Sequence, residues 1–151
     1  MKRIFEITRS NRDTLTQFLN GYSLEQLNKI PEGYSNNLIW NIGHTVVVQQ
    51  MLVYKLSGLP MMIPDEMVSK YKKGSKPEQD FSQEEVDEIR SFLHETINKS
   101  EMDFENQAFN NYIEFTVMTG YTIKNATDAL HFNNYHEAVH LGIMMGIRKF
   151  I

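Results

Sequence analysis

Glycine and proline cut this chain into segments, and between the cuts the apolar residues recur at helical spacing. That pattern constrains the fold more than any other feature of the sequence. Ile4, Ile7, Asn11, Leu15, Phe18 and Tyr22 form a first run, and Gly21 stands at its end. A short turn, SLEQLNKI, opens on the cap-like Ser23 and stops at Pro31. Ser35 then opens a second helix, NNLIWNIGHTVVVQQMLVYKLSG, which ends at Gly58 and Pro60. Residues 59–80 read as a long loop holding Pro60, Pro64, Gly74 and Pro77. A third helix starts at Ser82, with Glu85 completing a capping box, and carries Val86, Ile89, Leu93 and Ile97 on one face. Residues 106–121 read as an irregular connection with a short extended piece. A last helix is expected from about Ile123 to Lys149. Four long helices on short connections predict an all-α four-helix bundle, with residues 1–151 as a single domain.

Composition removes several function classes. There is no cysteine, so neither a disulfide framework nor a cysteine zinc site can form. Any thiol chemistry needs a thiol from outside the chain. The net charge is −4 and no Lys/Arg stripe stands out, which argues against nucleic acid as a partner. No apolar run reaches the roughly 18 residues of a membrane span, and none follows the basic start in signal-peptide fashion. The expectation is a cytoplasmic protein without a membrane partner. No nucleophile, second pair of carboxylates or phosphate loop is evident.

The histidines are more informative. His136 and His140 stand four apart in YHEAVHLG. Projected at about 100° per residue, they share a face with Ala129, Asn133, Ile143, Met144 and Ile147, so they should look inward. On the second helix His44 shares a face with Trp40, Val47, Val48 and Met51. His131 projects to the opposite side of the last helix, and His94 flanks the third helix's stripe. A lone HxxxH is equally the mark of hydrogen-bonded core residues. A third inward imidazole adds weight, because several buried imidazoles need several partners and one divalent ion satisfies three. Three neutral ligands also leave a coordination position open to water or a thiol. Trp40 should pack beside such a site. Asn41, Asn133 and Tyr54 could line the pocket or orient ligands, with core packing the equal alternative, and Asn11 is a weaker candidate. Glu137 invites a general-base role, but its projection at the edge of the inward face favours a solvated or inter-helix carboxylate.

The segments NNLIWNIGHTVVVQQMLVYKLSGLP and DALHFNNYHEAVHLGIMMGIRKF together resemble the DinB-like superfamily, which includes YfiT-type proteins grouped as metal-dependent hydrolases. The resemblance spans nearly the whole chain. It implies an up-down-down-up four-helix bundle with a long connection between the second and third helices. It also implies a divalent metal site, commonly nickel or zinc, on His44, His136 and His140. Some relatives are transferases that use low-molecular-weight thiols, and homodimers are common. The expected function is therefore a thiol-dependent transferase acting on a small-molecule substrate. A metal-dependent hydrolase and a non-catalytic metal- or ligand-binding bundle are the alternatives. The catalytic residues are unknown. Many relatives continue HxGQ after the last histidine, whereas this chain has Ile143 in place of the amide, so no relative's substrate carries over. The apolar stretch LPMMIP, 59–64, is a candidate dimer surface or pocket rim.

Overall fold

The computed structural model describes residues 1–151. Its four long helices are α1 (Lys2–Gly21), α3 (Leu38–Val53), α5 (Gln83–Glu105) and α6 (Ala126–Ile147). Two short helices, α2 (Leu24–Asn28) and α4 (Asp65–Tyr71), lie in the connections. Strands β1 (Phe115–Thr116) and β2 (Thr122–Ile123) pair antiparallel around a turn in which Gly120 takes φ 84°. No helix is long and apolar enough to cross a membrane.

Cross-helix contacts fix the helix directions. Thr8 bonds to Asn134 and Arg12 to Glu137, so α1 and α6 run the same way. Phe5 packs on Phe104 while Thr16 meets His94, so α5 runs against α1. Gln49 bonds to Ser100 and Tyr54 to Asp103, so α3 runs with α5. The bundle is up-down-down-up. α3 packs on α6, α5 and α4, and almost its whole circumference is buried.

The helix starts follow local chemistry. Ser23 and Ser82 each form a capping box, with Gln26 and Glu85 respectively. The start of α3 differs from expectation: Asn37, not Ser35, is the cap, and its Oδ1 accepts from the Trp40 amide at 2.8 Å. The 59–80 segment is not simply a loop, because α4 forms within it. Pro64 precedes an acidic first turn, Asp65 and Glu66, and Lys70 lies in the last turn, an arrangement that suits the helix dipole. The stretch 59–64 is no exposed patch either. Ile63 belongs to the core, and Leu59, Met61 and Met62 pack against it.

The inward face of α1 keeps Ile4, Leu15 and Phe18 of the expected stripe but leaves out Ile7. Ile7 is 55% exposed, while Phe5, Thr8, Arg12, Leu15 and Leu19 are buried. Phe5, Leu15 and Leu19 bring more apolar area to the core than Ile7 would, and their face carries Arg12 inward with it. On α6, Ile143 is likewise exposed rather than inward, and Leu130 and Glu137 are buried instead.

The core has two apolar ends. One gathers Leu15, Leu38, Val47, Leu93 and Met144; the other gathers Phe5, Val53, Ile97, Ala129 and Leu130. Between them, at mid-height on all four long helices, lie buried polar residues: Thr8 and Arg12, His44 and Gln49, Thr96 and Ser100, Asn133 and Glu137. Burying polar groups is costly unless they are bonded, so this waist is where the fold departs from pure packing.

Candidate metal centre

The histidines converge at the waist. His44 comes from α3, and His136 and His140 from successive turns of α6. Their ring centroids are 5.1 Å (His44–His136), 4.7 Å (His44–His140) and 4.6 Å (His136–His140) apart. One nitrogen from each ring lies within 4.8 Å of the others. A tetrahedral ion with 2.0–2.1 Å bonds needs ligand nitrogens roughly 3.3 Å apart, about 1.5 Å inside that limit. His44 is buried, while His136 and His140 are partly exposed, so the group opens along one edge of α6 rather than being sealed inside. His131 is exposed on α6, and His94, on α5, lies beside Thr16 and Asp13. Neither joins the group.

Two of the rings have fixed tautomers. His44 Nδ1 lies 2.6 Å from the Tyr71 carbonyl, and an oxygen that can only accept requires Nδ1 to carry the proton. His140 Nδ1 donates to Asn41 Oδ1 at 2.8 Å. The Asn41 amide is itself held, its Nδ2 donating to the Asn37 carbonyl at 2.7 Å. Both rings therefore turn their Nε2 lone pairs away from these partners, the arrangement of metal-ligating histidines. His136 Nδ1 is buried without a hydrogen-bond partner. Burial lowers the pKa of all three. For His44 it outweighs the opposing hydrogen bond to Tyr71. His136 falls to about 3, by burial and then by the other two histidines and Arg12. His140 falls to about 4, by burial and then by His44. At neutral pH the group is three uncharged imidazoles, the protonation state that binding a divalent ion requires. Donor type, tautomer and charge all fit such an ion.

The surroundings explain this arrangement. The Trp40 ring stacks on His44 with centroids 4.6 Å apart, and its Nε1 donates to Ser75 Oγ at 3.1 Å. Gly43 lets Tyr71 approach: a Cβ there would lie 2.6 Å from the Tyr71 ring. Without that approach the Tyr71 carbonyl would not reach His44. Tyr71 and Ser75 lie within the segment read as loop, and their roles left no trace in the histidine spacing.

The other anticipated residues divide. Trp40 and Asn41 touch the histidines. Tyr54 does not: it lies roughly 15 Å further along α3, where its hydroxyl donates to Asp103 and its ring packs on Phe109. Glu137 is neither solvated nor free. It is fully buried and bridges helices, pairing with Arg12 at 2.6 Å and accepting from Asn11 at 3.2 Å and Asn133 at 2.9 Å. Arg12 lies off the expected stripe, which runs through Ile7 and Asn11. The signal was present in Phe5, Thr8, Arg12, Leu15 and Leu19, which also fall at helical spacing.

The family model described as the DinB superfamily matches residues 7–144. No curated protein matches the chain.

Proposed function

We propose that this chain, which belongs to the DinB superfamily, binds a divalent ion, nickel or zinc, through His44, His136 and His140 and uses it in transfer reactions of a low-molecular-weight thiol. The observation that carries the reading is the convergence of three neutral imidazoles from two helices on one partly open point. When bound, such an ion supplies positive charge that favours the deprotonated form of a coordinating thiol.

The protein's own residues do the rest. Tyr71 and Asn41 orient two ligands, and Trp40 covers one face of His44. No side chain of the group compensates the charge of an ion, because Glu137 is engaged by Arg12. An anionic ligand is therefore favoured at the open side.

The binding of Glu137 also favours thiol transfer over hydrolysis. A hydrolase of this kind benefits from a general base within reach of the attacking water, and the nearest candidate carboxylate is held by three donors. The test is elemental analysis of the purified protein, then assays of the metal-loaded form with cellular thiols and reactive electrophiles. Thiol-dependent turnover is the expected result. Metal-dependent ester or amide hydrolysis without thiol would support the hydrolase instead. Stoichiometric metal with no turnover would leave a binding protein.

The same reading includes a homodimer. Tyr135, Val139 and Ile143 form an exposed apolar stripe along α6, at 56%, 43% and 38% exposure, and α6 is the face proposed for the contact. Light scattering should give twice the chain mass, and Val139→Asp should halve it. A parent protein that is monomeric at high concentration would remove the dimer.

A further inference from the structure

The polar waist holds a second device beside the histidines. Arg12 and Glu137 are both fully buried. Arg12 Nε donates to Glu137 Oε1 at 2.8 Å, and Nη2 reaches both that oxygen and the Thr45 carbonyl, the latter at 3.4 Å. Asn11 Nδ2 binds the other carboxylate oxygen at 3.2 Å, and Asn133 Nδ2 donates to Oε1 at 2.9 Å. Thr45 follows His44 and Glu137 follows His136 in the chain. One guanidinium from α1 thus grips the residue next to a histidine on each of two other helices.

Stability alone is a poor reason for such an arrangement. Burying two charges costs solvation that their attraction scarcely repays, and apolar replacements of similar volume are often as stable. The local bonding is also incomplete. Arg12 Nη1, Asn133 Oδ1 and His136 Nδ1 are all buried without partners, and all belong to this neighbourhood. Direction is what apolar packing lacks and this pair supplies. An imidazole nitrogen stands roughly 6 Å from its helix axis, so a rotation of α6 by about 20° would carry it roughly 2 Å. That equals a whole metal–nitrogen bond.

We propose that Arg12 and Glu137 are positioning residues, a clamp that fixes the rotation of α6 against α3 so that His136 faces His44. The clamp touches no ligand and moves no proton. The inference rests on the metal reading of the histidines.

The probe is Co2+, followed by its visible absorption, with the helicity and thermal midpoint of the metal-free protein measured in parallel. The variants are Arg12→Met/Glu137→Met, which removes both charges and keeps the volume, and Glu137→Gln, which keeps the shape and removes one charge. In a folded variant the clamp predicts a loss of Co2+ affinity of about tenfold or more, with shifted absorption bands. A folded variant that binds Co2+ with parental affinity and an unchanged spectrum would show the pair to be structural only. Should the double variant not fold, Glu137→Gln decides by the same readout. If the parent itself binds no Co2+, the metal reading has failed and not the clamp alone.

Discussion

The Trp40 indole lies nearly parallel to the His44 imidazole, at 14° and 4.6 Å between centroids. Trp40 is the only tryptophan in the chain. It is therefore a built-in reporter on one of the three histidines. Titration with Ni2+ or Co2+ should quench its fluorescence in a saturable manner, ending at one ion per chain. His140→Ala leaves Trp40 in place and should weaken the quenching. Quenching that never saturates, or is the same in His140→Ala, would place the ion elsewhere.

A side chain at Gly43 should cost metal affinity more than stability. A Cβ would lie 2.6–2.9 Å from three atoms of the Tyr71 ring. Overpacking of this kind costs about 1–3 kcal/mol, partly offset by the better helix propensity of alanine, about 1 kcal/mol. Gly43→Ala should therefore lose a small amount of stability in urea. It should lose more metal affinity, about 10–100-fold, because moving Tyr71 takes the carbonyl from His44 Nδ1. Parental affinity in this variant would show that the Tyr71 bond does not orient the ring.

The metal-free protein should weaken with acid in a definite window. His136 and His140 have folded-state pKa values of about 3 and about 4, below the ordinary 6.5. Depressed pKa values mean that the unfolded chain binds more protons between these limits, so stability falls with falling pH there. The contribution is fully present above about 6.5 and is lost as pH falls toward 4 and then 3. Urea midpoints of the parent and of His136→Asn/His140→Asn, measured from pH 7.5 to 4, should show the parent losing stability relative to the variant as the pH drops. Parallel curves would mean that these rings titrate normally in the folded state.

Much of this architecture was legible because helices announce themselves locally. The capping boxes at Ser23 and Ser82 are contained in a few residues each, whereas the second long helix ends at Val53, before the expected stop at Gly58 and Pro60. The pairing of His136 with His140 follows from one helical turn. What the sequence hid depends on helices distant in the chain. Arg12 stays off the expected stripe until Phe5, Leu15 and Leu19 set the face of α1, and Glu137 is an inter-helix rather than a solvated carboxylate only because Arg12 reaches it from that helix. α4 is only seven residues long, too short for periodicity to reveal it, yet Tyr71 at its end orients His44. Tyr54 follows the core-packing alternative: it shares α3 with His44 but lies too far along it, beside Asp103.

His44, His136 and His140 are proposed to hold one divalent ion together without being needed for the fold. The most direct measurement is metal content by elemental analysis, with helicity by circular dichroism, of the parent and His140→Ala after loading with Zn2+ or Ni2+ and desalting. The prediction is close to one ion per parent chain, a small residual fraction in His140→Ala, and the same helicity in both, because the apolar ends of the bundle do not involve the histidines. Equal metal content in the two proteins, or none in the loaded parent, would contradict the account.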